Sequence, residues 1–245
     1  MRKTGAHCFR GWAPAISGAV CALLVTALAA TNARAELPAE DAEGWNLSKE
    51  TGNIQVYTVD QDTSSFKAFK AVALLDVPIE NLMAVMINPQ SCIEWVHNCI
   101  ESYAFGKGDF QDRYAYSVND MPWPVTDRDY VLHIQTRGDE TSGEVIMDLN
   151  ATPNQLAENE NRVRVDRSDT LYRFIPEGDQ TRMIWVQHTD PNGALPGWLV
   201  NSLLVDIPVR SIQALEKVAA TARYQGFRLV YDQDGQLIDV RPSDT

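Results

Sequence analysis

The sequence predicts an α+β fold in which a curved antiparallel sheet is closed by one long C-terminal helix. Three observations predict it. Residues 110–189 hold a succession of segments that alternate apolar and polar residues, punctuated by Gly143, Pro153 and Gly178. Ahead of them, Val77–Met86 switches to helical spacing. After them, Val200, Leu203, Leu204 and Ile207, continued by Ile212, Leu215, Val218 and Ala219, make a broad apolar stripe at helical spacing. Helices placed before and after a run of strands belong to the α+β class.

The first 35 residues read as a leader. Arg2, Lys3 and Arg10 open it with positive charge, Ala13–Ala30 runs apolar without a charge, and Ala33-Arg34-Ala35 is a small-x-small cleavage pattern before Glu36. That is the order of a secretory signal peptide. The competing reading is a transmembrane anchor of about 20 apolar residues. Small residues dominate the run and the cleavage pattern sits where it should, so cleavage and export, to the periplasm, are expected. Cys21 has no lipobox-like Leu-Ala-Gly before it, which argues against a lipid anchor. Cleavage leaves 210 of 245 residues; losing four basic residues and no acidic one takes the formal charge from −12 to −16. A chain of that size buries about 70% of its extended surface, enough for one core with a cavity. So acidic a surface repels phosphate backbones, which excludes nucleic acid as a partner, and it limits membrane contact to transient encounters.

In chain order, residues 40–50 suggest a short amphipathic helix. Ile54–Val59 and Phe66–Asp76 flank the polar turn Asp60-Gln61-Asp62 as a hairpin. Val77–Met86 follows as a helix with Pro78 near its first turn. Ser91–His97 suggests a second short helix or turn. Strands are then expected at Phe110–Val118, Tyr130–Arg137, Glu144–Asn150, Arg162–Asp166, Leu171–Ile175 and Thr181–Thr189. The closing helix starts near Pro196 or Trp198 and runs to about Ala222, with a kink or break at Pro208. No repeat or Gly-Ser linker divides the chain. The expected organisation is therefore a leader at 1–35, one domain over 40–222, and a tail over 223–245 in which Arg228–Tyr231 and Gln236–Ile238 can pair around Asp234-Gly235.

The segment Met121-Pro122-Trp123-Pro124-Val125-Thr126-Asp127-Arg128-Asp129-Tyr130-Val131 resembles the proline-aromatic-proline, Arg-Asp, aromatic, valine signature of START lipid-transfer domains. Three further pieces follow that family's order: Glu94-Trp95, Arg162-Val163-Arg164 leading to Phe174-Ile175-Pro176, and Asp190-Pro191-Asn192-Gly193-Ala194-Leu195-Pro196-Gly197-Trp198-Leu199-Val200-Asn201. Asn192 stands where the family has glycine, a mild departure because asparagine tolerates the left-handed backbone region. The resemblance spans roughly residues 45–220 and implies a helix-grip fold enclosing a tunnel for a lipid or other apolar ligand. No cofactor is expected, and the protein is expected to be a monomer. Phospholipid, sterol, hopanoid and fatty acid all belong to the class it implies.

Candidate site residues follow. Val200, Leu203, Leu204 and Ile207 are expected to line the cavity, because a gripping helix must bury its stripe against the sheet or a ligand. Tyr114, Tyr116, Tyr130, Leu132 and Ile134 lie on alternating faces that can point into it. Trp95, Trp123, Trp185 and Trp198 are large anchors, with Trp198 placed for the mouth and Trp123 in the signature. Arg128 has two readings: an ion pair with Asp129 that fixes the Pro-Trp-Pro turn, or a side chain turned inward to a phosphate or carboxylate headgroup. Cys92 and Cys99 are seven residues apart; in continuous helix their Cα atoms would be about 10.5 Å apart, too far for a bridge. A disulfide needs the chain to turn between them; otherwise they are two thiols, or with His97 a partial metal site.

No Gly-x-Ser-x-Gly, His-Glu-x-x-His or phosphate loop is present, and His97, His133 and His188 lie on different elements. The expected function is non-catalytic binding, with transfer, of a hydrophobic molecule. The alternatives are a helix-grip cyclase or dehydratase, which needs an acid and a base facing the cavity, and an envelope protein-interaction module.

Overall fold

The computed structural model describes residues 37–62, 64–193, 195–196, 199–200 and 202–243, all within a unit spanning Ala33–Thr245. The expected leader and Trp198 lie outside the described residues. Strands β1 (Asn46–Thr51), β2 (Ile54–Gln61) and β3 (Ser64–Leu75) lead into helices α1 (Ile79–Met86) and α2 (Cys92–Trp95). An antiparallel run follows: β4 (Cys99–Phe105), β5 (Asp112–Asn119), β6 (Arg128–Gly138), β7 (Val145–Ala151), the short β8 (Val163–Arg164), β9 (Arg167–Glu177) and β10 (Gln180–Asp190). A π turn (Ser202–Asp206) then runs into α3 (Ile207–Ala219), and β11 (Phe227–Tyr231) and β12 (Leu237–Pro242) close the chain. Among the described residues β1–β10 form one sheet ordered β1-β2-β3-β10-β9-β7-β6-β5-β4, antiparallel except where β8 runs beside β6.

Register sorts the inner face into rows. Ala73, Met183, Phe174 and Val145 stand side by side and pack as core with Leu82 and Val85 of α1 and Ile212 and Leu215 of α3. The next row, Ala71, Trp185, Tyr172 and Met147, and the one beyond it, Phe69, Gln187, Thr170, Leu149 and Ile134, continue from that core, and most of their side chains also border open space. Solid core thus gives way to free space along the same strands.

Three expectations change and a fourth is sharpened. Residues 46–51 form an edge strand and not a helix: Gly52, at φ 56°, turns the chain so that Asn46–Thr51 pairs with β2, and Leu47 stays 53% exposed with no apolar face to bury. Strand β4 is additional to those expected; its exposed Ile100 and Tyr103 hide the alternation, as befits the other edge. At Pro208 the expected break falls just ahead of the proline and takes the form of a change of winding. The proline supplies no N–H to the carbonyl of Leu204, four residues earlier; the chain there is wound as the wider π turn, and α3 begins at Ile207 with Pro208 in its first turn. The tail is part of the fold, since β11 and β12 pair as a hairpin whose Leu237 and Val240 are buried in the main core.

Candidate functional site

Where the helical packing stops, two adjoining cavities lie over the inner face of the sheet. The larger, about 170 Å³, is walled by Trp95, Leu132, Ile134, Met147, Leu149 and Tyr172, among others, and the smaller, about 80 Å³, by Phe66, Phe69, Val200, Leu203 and Leu204. Asn119, Tyr130, Trp185, Gln187 and Ile207 border both. Trp185 anchors the wall through edge contacts with Phe69 at 5.2 Å and Trp95 at 6.2 Å and a tilted contact with Tyr172 at 5.2 Å. Such an aromatic cluster holds its shape while presenting apolar surface. Burial pushes the Tyr130 phenol up to about 12 and raises Tyr172 as well, so both stay neutral donors at ordinary pH. A larger hollow, about 460 Å³, lies on the outer face between residues 37–41 and Leu171, Arg173 and Val186; a surface strap makes it, not the gripped face.

The expected residues divide by strand parity. Tyr130, Leu132 and Ile134 sit in the cavity wall, as do Val200, Leu203, Leu204 and Ile207. Tyr114 and Tyr116 do not. Residue 117 pairs with 130 and 115 with 132, so Ala115, Ser117 and Asn119 share the inner face with Tyr130 and Leu132, and the two tyrosines point outward. Tyr114 stacks on His133 at 4.7 Å, and Tyr116 packs against Tyr103. Trp123 is 92% exposed and lines neither cavity.

Arg128 follows neither of its readings. Its side chain is buried and donates Nε to Pro191 O at 3.1 Å, Nη2 to Asn192 O at 2.8 Å and Nη1 to Thr126 O. It clamps the loop leading to the closing helix, where Asn192 takes the left-handed φ of 55°. Asp129 pairs instead with Arg164, which donates Nε and Nη2 to its two carboxylate oxygens at 3.1 and 2.9 Å. Arg164 also donates to the carbonyls of Pro153, Leu156 and Ala157, so these arginines fix loops, and among the described residues no cation lines the cavities.

Cys92 and Cys99 are joined, with Cα atoms 5.9 Å apart. Helix α2 ends after one turn, Val96 is extended, and Asn98 at φ 71° reverses the chain, which supplies the turn the bridge requires. Cys92 lies in the wall of the larger cavity. Among the described residues no cluster of His, Cys, Asp or Glu is placed to hold a metal. His133 and His188 are on the outer face and His97 is exposed.

A family model, the START domain, matches residues 26–221. The chain belongs to the START domain family. An uncharacterised protein of Pseudomonas aeruginosa is 32% identical over 179 residues, 73% of this chain and 88% of that protein. The phosphatidylcholine transfer protein of Rattus norvegicus is 25% identical over 174 residues, 69% of this chain and 80% of its own. The STAR-related lipid transfer protein of Xanthomonas axonopodis has the same fold at a TM-score of 0.67 and 25% identity, covering 73% of this chain and 100% of that one. The START fold is the helix-grip fold expected, and the family's activity is the binding and transfer of lipids or other hydrophobic molecules.

Sequence reasoning missed the polar half of the START cavity: Ser117 and Asn119 of β5, Ser168, Thr170 and Tyr172 of β9, and Gln187 and Thr189 of β10. A signal was present. Each occupies the inward parity of its strand, where a filled core would carry aliphatic residues.

Proposed function

We propose that this START protein binds a hydrophobic, lipid-like molecule beneath the Val200–Ile207 segment and exchanges it with membranes, without catalysing a reaction. The supporting observation is the paired cavity itself, lined on the sheet side by aromatic and aliphatic residues and on the other by Val200, Leu203, Leu204 and Ile207. Burial gains about 0.8 kcal/mol per methylene, so a lipid with roughly 30 methylenes gains over 20 kcal/mol relative to water. A bilayer offers nearly the same gain, and exchange between the two is close to balanced. The non-catalytic reading draws support from the wall, where no acid–base pair stands among the described residues: His133 and His188, the histidines a cyclase or dehydratase would use, are on the outer face. The names of relatives, phosphatidylcholine transfer protein among them, point the same way.

The N-terminal charge-apolar-cleavage order supports an exported, periplasmic protein, and the same proposal has it act as a monomer that meets membranes transiently. The π turn over the smaller cavity is the proposed gate. Pro208→Ala restores the missing N–H, extends the α-helix back toward Leu204, and is expected to slow lipid uptake with folding intact; unchanged uptake would remove the gate from this segment. The test of the function is native mass spectrometry of the exported protein followed by organic extraction. A co-purifying lipid is expected, and a protein that is empty and also takes up no fluorescent lipid would overturn the proposal.

A further inference from the structure

The cavity wall carries many polar groups, and none is charged. Among the described residues neither cavity is lined by Asp, Glu, Lys, Arg or His. Arg113, an inward-facing cation by register, lines neither cavity; its Nη1 donates to Phe110 O and Thr136 Oγ1, and its Nη2 is buried outside the cavity walls. Arg128 is engaged with three carbonyls. An ionised headgroup drawn inside would lose its hydration with no counter-charge in the cavity wall to replace it.

The uncharged groups are arranged to leave capacity over. Trp185 Nε1 donates to Gln187 Oε1 at 3.0 Å, Gln187 Nε2 donates to Thr189 Oγ1 at 2.8 Å, and Thr189 and Ser168 share a hydrogen bond at 2.7 Å. A hydroxyl has one hydrogen, so whichever of that pair donates, the other keeps its own, and Gln187 keeps a second N–H. Beside this ladder Thr170 and Tyr172, 7% and 5% exposed, and Tyr130 make no side-chain hydrogen bond among the described residues. Buried polar groups are normally partnered. None of the three hydroxyls is sealed in the core; each opens on the cavity, so the partner it lacks within the protein comes from whatever fills that space.

We infer that the ligand presents an uncharged oxygen group, an alcohol, ester or ketone, to Tyr130, Thr170 and Tyr172 inside the cavity, and that carboxylate and phosphate headgroups are rejected there. The inference rests on the ligand-binding reading above and narrows it to neutral hydroxylic or carbonyl lipids. The raised phenols agree with this, because neither tyrosine ionises over the physiological range.

The test uses two probes that share one chain, 1-decanol and decanoate, titrated into the full exported protein by quenching of tryptophan fluorescence. At pH 8 decanol is expected to bind at least about tenfold more tightly, the order of one unmade buried hydrogen bond or more. Decanoate should recover as pH falls toward its own pKa near 4.5 and the acid becomes neutral. Tyr172→Phe and, separately, Tyr130→Phe should weaken decanol about threefold to tenfold without altering decanoate. Decanoate binding as well as decanol at pH 8, or extraction of phosphatidylcholine from phosphatidylcholine vesicles, overturns the inference and leaves the ligand-binding reading standing. Binding of neither probe, with no lipid extracted, overturns both. The wild-type comparison needs no variant, so a failure of Tyr172→Phe to fold does not obscure the result.

Discussion

Strands β5 and β6 carry a charged network on one face, and on the other the stretch that lines the cavity is uncharged. Outward, Arg162 donates Nη2 to Glu101 at 2.8 Å and Nη1 to the Tyr116 hydroxyl at 2.7 Å; that hydroxyl donates to Asp129 at 3.0 Å, and Asp129 holds Arg164. Inward, the same strands offer Ala115, Ser117, Tyr130, Leu132 and Ile134 to the cavity. The outer network fixes loops and the inner wall meets the ligand. A sheet separates the two environments because side chains two residues apart share a face and neighbours never do. The family signature spans both sides of this division: Asp129 belongs to the network, Tyr130 to the cavity.

The largest effect expected from breaking this division is on the outer side. Asp129 is fully buried and Arg164 nearly so, and Asp129→Ala leaves the guanidinium buried without its carboxylate. Stability should fall by about 3–5 kcal/mol in urea unfolding, while decanol affinity of the folded protein stays within about twofold of the starting value, a 0.4 kcal/mol margin. A specific loss of binding would place Asp129 in the site. The inner counterpart is Leu132→Lys, which puts an ammonium into the cavity wall. It should lower stability by about 1–3 kcal/mol and reverse the preference between decanol and decanoate at pH 8. An unreversed preference would mean that the lysine escapes to solvent and that the wall tolerates no charge at all.

The outer face is not charged throughout. His188 is buried there, and burial holds its imidazole below the ordinary value of 6.5. The unfolded chain then binds a proton that the folded chain resists. The contribution of His188 to stability is complete above about pH 6.5 and is lost as pH falls through the lower folded value. The slope cannot exceed about 1.4 kcal/mol per pH unit for one proton. His188→Gln should flatten urea midpoints measured between pH 7 and 5, and an unchanged pH profile would assign acid sensitivity to other groups.

Much of this fold could be read from the sequence because its signals are local. The alternation of β5, β6, β9 and β10, the helical spacing of Ile79–Met86 and the stripe of the closing helix each follow from residues within one segment. The relation between β5 and β6 is not local. Tyr114 and Tyr116 alternate as regularly as Tyr130 and Leu132, but the register across the Pro-Trp-Pro loop decides which parity faces in, and a shift of one residue exchanges the faces. Arg128 and Asp129 failed as a pair for a similar reason: their partners, Asn192 in a loop and Arg164 in the short strand β8, lie 64 and 35 residues away. The polar wall of Thr170, Tyr172 and Gln187 escaped because polar residues alternating with others on one strand look like ordinary surface until β9 and β10 are set side by side.

The smallest effect separates two tryptophans. Trp185 is buried among Phe69, Trp95 and Tyr172, whereas Trp123, inside the most recognisable stretch of the chain, is 92% exposed. A large apolar side chain standing in water contributes little to folding, so Trp123→Ala should change stability by no more than about 0.5 kcal/mol and leave decanol affinity untouched. Its place in the signature then reflects the surface it offers, and the step to examine is exchange with a membrane: Trp123→Ala should slow transfer from zwitterionic vesicles while equilibrium binding of decanol is preserved. Equal losses in both would show that Trp123 reaches the cavity after all, and the division between a loop-fixing outer face and a ligand-meeting inner face would not extend to the turn that joins β5 to β6.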